Sequence, residues 1–524
     1  MTVDCGFVRD REDGMSKATT RVLFALLVGT AALLLCSTGT NGHNWGDDFA
    51  AYIMQARALS DGTPHGFFEA SRFTVEQSSY PPGPAAYPWG LPVLLAPVYA
   101  AFGMNMIALK SVGMASFVLF LVALWLGFRR YHSPLGFLCL ISLFSLNPRM
   151  LAAPNEILSD VPFLLLSTVA VALIGILIVE RSRLICGVCD NFLIGALIAG
   201  AFFIRTNGLL LLPVLAVAQF TELARGCRMD RQRTTADGRE GGSLGKISEA
   251  PGFPIGRLCL SVIPYASFFG LLLAWETVLP GGGTSHVSML RGLTPRLMIH
   301  HLFYYLLLPS DFFCHPLVYM ATIPFAVVGM VKRCRADYHI VLYLALTLLL
   351  YIVWPPVQGL RFLFPIMPFY CSFLITGLES LRRGVSAGRF RSTLCLLPLC
   401  LLCACFGAYS TTRAYKNIRN NRATFSGPFT AGSREMFSFI RKATGTESTV
   451  IFFKPRAMRL MTDRKSILVN RIEDVSRGDY LCLYRRKDAY DQIAPAAVRH
   501  LLERRAARLI YQNSDFLIYR LNGH

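Results

Sequence analysis

Apolar residues in this chain come in runs, with polar residues gathered between them. Stretches at 22–40, 109–128, 135–151, 161–179, 258–279, 317–331, 340–354, 362–381 and 394–410 stand out. They are close to the roughly 17 to 25 residues that carry a helix across about 30 Å of hydrocarbon. None alternates with period two, so the pattern predicts crossing helices and not a β-barrel. A further region, 192–220, holds two shorter apolar stretches separated by Arg205-Thr206-Asn207-Gly208. It reads as a tight hairpin of two helices with Arg205 and the Asn-Gly turn at its tip. The pattern as a whole predicts a polytopic α-helical membrane protein of about eleven crossings, with residues 1–410 as its membrane domain.

The pattern changes after residue 410. Segments 449–454, 466–470, 480–485 and 509–521 read as short strands, and helical spacing at 433–442 and 495–505 lies among them, so 411–524 is expected to be a small α/β domain. Two loops also interrupt the apolar runs. Residues 222–256, rich in Gly, Arg and Ser with Pro251 and Pro254, are expected to be disordered. The loop 43–106 opens with a helix in which Phe49, Ile53, Ala56 and Leu59 share one face, ended by Asp61-Gly62. That spacing predicts an amphipathic helix lying along the membrane surface.

Charge supplies orientation. Only 16% of residues are charged against 53% hydrophobic, too little to cover a soluble globule of 524 residues. The net +20 is unevenly placed: Arg9, Arg11, Lys17 and Arg21 precede the first run, and Arg129-Arg130, Arg181, Arg183, the loop 225–257, Lys332-Arg333-Cys334-Arg335 and Arg382-Arg383 follow later ones. All fall on one side if 192–220 crosses twice, which makes that side, and the N-terminus, cytoplasmic. Loop 43–106 and the C-terminal domain are then extracytoplasmic. A basic excess distributed by topology argues against a nucleic-acid partner. The first run lacks a small-residue cleavage site before Asn41-Gly42-His43 and reads as a retained anchor. Most of the 15 cysteines lie in apolar runs as small hydrophobes, and Cys186-x-x-Cys189 and Cys400-x-x-Cys403-x-Cys405 carry neither a metal nor a disulfide assignment.

Chemistry is expected on the extracytoplasmic face. Asp47 and Asp48 stand at the start of the first-loop helix. Asp48 reads either as an N-cap or, with Asp47, as a general base or metal ligand at the mouth of a membrane cavity. Glu156 and Asp160, four residues apart where two apolar runs meet, form a second acidic pair, although Asp160 before Pro162 also suits a helix cap. Arg57, Arg72, Arg205 and Arg361 are the extracytoplasmic guanidiniums suited to a phosphate. His300, His301 and His315, with Asp311, could supply metal ligands but read rather as polar surface, and Pro81-Pro82-Gly83 and Trp89 read as shape.

Four ordered segments resemble the membrane-embedded glycosyltransferases of the GT-C superfamily, in particular a bacterial branch related to protein mannosyltransferases and to the lipid A aminoarabinose transferase. They are Gly46-Asp47-Asp48-Phe49 with Tyr52-Ile53 and Gly62; Tyr80-Pro81-Pro82-Gly83 with Leu91-Pro92; Ile157-Leu158-Ser159-Asp160-Val161-Pro162-Phe163; and Gln358-Gly359-Leu360-Arg361-Phe362 through Pro368. The resemblance implies an inverting transfer of a sugar from a polyprenyl-phosphate donor to an extracytoplasmic acceptor, with the first-loop acid, Asp47 or Asp48, as base and a bacterial inner membrane as location. It leaves a divalent metal ion open. Two other classes stand beside it: a lipid-linked sugar transporter or flippase, and a non-catalytic envelope assembly protein.

Overall fold

The computed structural model describes residues 15–180, 187–237, 255–281, 293–384, 395–486, 491–503 and 506–522. Its helices are α1 Lys17–Thr38, α2 Asp48–Ser60, α3 Pro64–Gln77, α4 Gly90–Phe102, α5 Met106–Phe128, α6 Pro134–Ser145, α7 Pro148–Ala152 and α8 Asp160–Leu173. They continue as α9 Val188–Ile204, α10 Leu211–Asp237, α11 Ile255–Val278, α12 Pro295–Leu307, α13 Pro316–Arg333, α14 Tyr338–Val353, α15 Met367–Gly384 and α16 Leu397–Arg419. The C-terminal unit adds α17 Ala431–Ala443, α18 Pro455–Thr462 and α19 Pro495–Glu503, with strands β1 Thr449–Ile451, β2 Lys465–Ile467, β3 Tyr480–Tyr484, β4 Ala507–Gln512 and β5 Phe516–Leu521.

Among the described residues, five helical segments are long and apolar enough to cross a membrane, and seven if each of two bent pairs counts as one span. One pair, α6 with the segment Pro148–Asn155, bends by 43°; the other, Pro295–Asp311 with α13, bends by 105°. The expected eleven crossings exceed this count because several apolar helices are short: α9 has 17 residues and α14 has 16. Large apolar side chains such as Leu33, Leu126, Phe220, Leu273 and Leu317 stand exposed on the helix surfaces, while Phe117, Phe120, Phe137 and Phe144 fill the interior. Apolar outside and apolar inside is the composition of a membrane protein. The region 192–220 forms two helices as expected, α9 and α10, separated by Arg205 and a 3-10 turn, Thr206–Leu210.

Three expectations are corrected. The first half of the loop 222–256 is not disordered but helical, since α10 runs on to Asp237; residues 238–254 lie outside the described ones. The predicted strand 509–521 is a hairpin of two, β4 and β5. The helix α2 does not lie on a membrane surface: Phe49, Ala50, Ala51, Tyr52, Ile53, Gln55, Ala56 and Ala58 are all buried, so it is enclosed on several sides by α4, α3 and α18. The same segment has too few charges for a helix with one face in water, and that is the physical reason for the burial. Cys186 lies outside the described residues, and Cys400 Sγ is hydrogen-bonded to Cys139 Sγ at 3.6 Å, both as free thiols.

The C-terminal sheet has the order β2-β1-β3-β5-β4. β1 pairs in parallel with β2 and β3, while β5 runs antiparallel to β3 and β4, with Cys482 opposite Ile518. Met436, Phe437, Ile440, Val450, Met458, Cys482, Phe516 and Ile518 make the core under one face. Into that core the membrane domain inserts Trp45. Its indole meets the rings of Phe437, Phe452, Phe453, Tyr484 and Phe516 edge-on, at centroid distances from 5.2 to 6.5 Å. Edge-to-face contacts of this kind add to the burial itself. Trp45→Ala should therefore cost about 3 to 5 kcal/mol of stability and loosen the C-terminal unit. Denaturant titration and limited proteolysis read both effects; unchanged protection in the variant contradicts the anchoring role.

Candidate active site

The loop after α1 is fixed at several points before it reaches α2. Lys110, buried near the start of α5, donates to Thr40 O at 2.9 Å, Thr40 Oγ1 at 2.8 Å and Gly42 O at 2.6 Å, which uses all three ammonium protons. His43 stacks on Phe49 and places Nε2 3.0 Å from Glu156. Burial works to raise Glu156, but the bond and charge of His43, with Lys110 and Arg361, hold it below the usual carboxylate range. Trp45 fixes the next two residues against the C-terminal unit.

The adjacent acids then take different partners. Asp47 occupies the N-cap position of α2, where its carbonyl accepts from Ala51 N at 3.0 Å but its side chain makes no bond to that helix. Its Oδ1 instead accepts from the backbone N–H groups of Arg456 and Ala457, at 3.2 and 3.4 Å, and so caps α18 of the C-terminal unit. Burial pushes Asp47 up to about 6 against the pull of Arg456 and Lys454. Asp48 is the first residue of α2, and its Oδ1 accepts the Tyr87 hydroxyl at 2.6 Å. Its Oδ2 faces Arg361 Nη1 at 3.6 Å.

Arg361 also stands 3.9 Å from Asp160, and Arg205 is paired with Asp160 directly. Asp160 is not a helix cap: Ser159 holds that position, and the Asp160 carboxylate turns to the two guanidiniums. Arg205 lies between Phe163 and Phe362, with its guanidinium carbon 4.6 Å from the centre of the Phe362 ring. Phe362 and Arg361 belong to a 3-10 turn, Leu360–Leu363, and Arg361 is further held by Gln358 Oε1 at 3.0 Å. Partly buried guanidiniums of this kind keep donors aimed at whatever anion enters.

Two cavities meet at these side chains. The larger, about 670 Å³, is lined by Tyr52, Tyr87, Asp160, Arg205, Asn207 and Tyr351 at its polar end and by Phe202, Phe203, Leu272, Trp275, Leu279 and Leu350 along an apolar wall. The smaller, about 370 Å³, is lined by His43, Asp47, Tyr80, Glu156, Lys454 and Asp491. Asp48, Arg361, Pro81, Pro82 and Leu158 line both, so they form the partition.

The structure thus brings Asp47, Asp48, Glu156, Asp160, Arg205 and Arg361 together. It does not bring Arg57 and Arg72: Arg57 pairs with Asp463 at 2.9 Å and with Asp61, and Arg72 with Glu69 at 2.7 Å and with Glu76. The expectation of polar surface is corrected for His301, which is buried with Nδ1 3.1 Å from Ile352 O, while His315 caps α13 through Leu317 N. Sequence reasoning missed Tyr52, Tyr87 and Arg456. Tyr52, one helical turn from Asp48, carried a readable spacing signal; Tyr87 and Arg456 carried none. Among the described residues no three His, Cys, Asp or Glu side chains gather as a metal site. Between Asp48 and Asp160, where a divalent ion would bridge, stands the Arg361 guanidinium, so the donors do not fit one there.

No protein-family model matches the chain, and no curated protein matches it significantly in sequence. Solved structures do match in fold. The oligosaccharyltransferase of Archaeoglobus fulgidus in its apo form aligns with a TM-score of 0.55 and 11% identity, over 90% of this chain and 70% of that one. ArnT from Cupriavidus metallidurans bound to undecaprenyl phosphate aligns with a TM-score of 0.55 and 10% identity, over 96% and 98%. The Archaeoglobus protein in complex with Zn and sulfate aligns with a TM-score of 0.54 and 10% identity, over 87% and 68%. At such identities the likeness establishes the fold.

The burial of Asp47 carries a pH dependence. A carboxyl that binds its proton more tightly when folded, near 6 against 3.8, contributes stability that is full below 3.8 and lost as pH rises through about 6. Asp47→Asn keeps the Oδ1 acceptor and removes the titration. Thermal unfolding in detergent from about pH 4 to about pH 8 should show the wild type falling relative to the variant and then running parallel. A constant difference at every pH contradicts the burial account.

Proposed function

We propose that this protein is a glycosyltransferase that moves a sugar from a polyprenyl-phosphate donor to a hydroxyl acceptor by single displacement with inversion. The observation that carries the proposal is the partition: one carboxylate, Asp48, and one guanidinium, Arg361, shared by two cavities of opposite character. The larger cavity offers an apolar wall for a prenyl chain and Arg205 with Arg361 for a phosphate. The smaller, polar cavity suits an acceptor. The transferase fold supports the same reading, as does the undecaprenyl phosphate bound by the Cupriavidus ArnT.

In this reading Asp48 is the base and Asp47 a structural cap. The acceptor oxygen attacks the anomeric carbon from the side of the smaller cavity and gives its proton to Asp48 Oδ2, since Oδ1 is occupied by Tyr87. The bond from the anomeric carbon to the phosphate oxygen breaks, and the polyprenyl phosphate leaves as an anion toward Arg205 and Arg361. Preorganised donors of this sort act without reorganisation cost at the moment of reaction. Asp160 is a positioning residue that holds both guanidiniums. Glu156 positions His43 and the loop. The acceptor is a glycolipid, a polysaccharide or a protein at the extracytoplasmic face of a bacterial inner membrane, with the N-terminus in the cytoplasm and the C-terminal domain outside.

Transfer of radiolabelled sugar from a panel of polyprenyl-phosphate donors, in membranes at matched expression, tests the proposal. Asp48→Asn should lower kcat by about 10²- to 10⁴-fold, the usual contribution of a positioned base. Arg205→Ala and Arg361→Ala should lower kcat/KM for the donor, whereas Arg72→Ala should leave the rate near that of the wild type. Equal transfer by wild type and Asp48→Asn removes Asp48 from the mechanism, and no transfer from any donor overturns the proposal.

A further inference from the structure

One side chain of the C-terminal unit is hydrogen-bonded into the group around Asp48. Arg456, the second residue of α18, is 2% exposed although it belongs to the small α/β unit and not to the helical bundle. Its Nη1 donates to the Tyr87 hydroxyl oxygen at 3.1 Å and its Nη2 to Pro84 O at 2.5 Å. Tyr87 in turn donates its single proton to Asp48 Oδ1 at 2.6 Å. The order is therefore guanidinium, phenol, carboxylate, with each donor pointing toward Asp48.

Space for this chain is built in. Gly83 has φ of +141°, and a Cβ there would lie 2.9 Å from Arg456 Nη1 and 3.0 Å from the Tyr87 oxygen. The Pro81-Pro82-Gly83 turn thus leaves a slot that a guanidinium fills. The α18 backbone is held at the same time by Asp47, through the N–H of Arg456 itself. One residue of the C-terminal unit is gripped by both neighbouring acids of the first loop, one directly and one through Tyr87.

From this geometry we infer that Arg456 is a positioning residue for the transfer reaction, supplied by the C-terminal domain and acting on Asp48 through Tyr87. The inference rests on the assignment of Asp48 as base. A phenol oxygen has one proton and can turn it in either direction. With Arg456 donating to that oxygen, the proton is directed at Asp48 Oδ1. Oδ2 is left as the basic oxygen at the partition, facing Arg361 and both cavities. Without Arg456 the phenol is free to rotate and the carboxylate loses its fixed orientation. The small domain is on this account a part of the active site, and the membrane domain alone is incomplete.

A double-mutant cycle on kcat decides it, with folding checked by size-exclusion chromatography in detergent. Arg456→Gln should lower kcat by about tenfold or more, the loss of one buried charged hydrogen bond, with donor KM within about twofold. Tyr87→Phe should lose a similar factor. Combining the two should add less than about twofold to the loss of Tyr87→Phe alone, because both break the same chain. Arg456→Lys, which keeps a donor for the phenol, should recover most of the rate, and Arg456→Met, which removes the donors but keeps the stem, replaces Arg456→Gln in the cycle if that variant does not fold. Additive losses, a change confined to KM, or wild-type kcat in Arg456→Gln overturn the positioning role while leaving Asp48 as base. If Asp48→Asn transfers sugar as well as the wild type, or the wild type transfers none, the base assignment falls and this inference falls with it.

Discussion

The structure depends on how six residues, His43 to Asp48, are held between the helical bundle and the C-terminal unit. Trp45 is the principal fixing point, an indole from the membrane domain set among five aromatic rings of the C-terminal unit. On one side of it His43 pairs with Glu156; on the other Asp47 caps α18. Because those contacts consume the conformational freedom of the loop, Asp48 arrives at the partition without a choice of position. A loop left free would have to be ordered at each turnover, at roughly 1 to 2 kcal/mol for every residue fixed.

The second constraint is charge. Asp160, buried at 4% exposure, would be costly alone, and so would Arg205 beside it. Together with Arg361 and Asp48 they form a row of alternating sign, two acids and two guanidiniums. The Asp160 to Arg205 pair is direct, while the contacts of Arg361 to Asp48 and Asp160, at 3.6 and 3.9 Å, are loose. The row is consequently stable as it stands and still has donors to give to an incoming anion.

Much of this was legible in the chain because polar residues are conspicuous where apolar runs begin or end. Asp48, Asp160, Arg205 and Arg361 each stand at such a boundary, and all four line the larger cavity. Arg57 and Arg72 also stood out, but each has acids one turn away, Asp61 for the first and Glu69 and Glu76 for the second, and pairs with them. The helix α18 was not legible: at 8 residues it is too short for periodicity to show. Its bearing on the site was hidden further, since Arg456 and Asp47 are 409 residues apart in sequence. The enclosure of α2 was missed for a related reason. An apolar stripe reveals that a face is buried, but not that a second domain covers the other faces.

The central claim is that Arg205 and Arg361 receive the donor's phosphate beside Asp48. Cryo-electron microscopy of the full chain in lipid nanodiscs with undecaprenyl phosphate tests it directly. The account predicts phosphate density about 3 Å from the guanidinium nitrogens of Arg205 or Arg361, with the prenyl chain along the Phe202, Leu272 and Trp275 wall. Phosphate density in another cavity, such as the one lined by Asn105, Arg434 and Arg441, with the larger cavity empty, would contradict it.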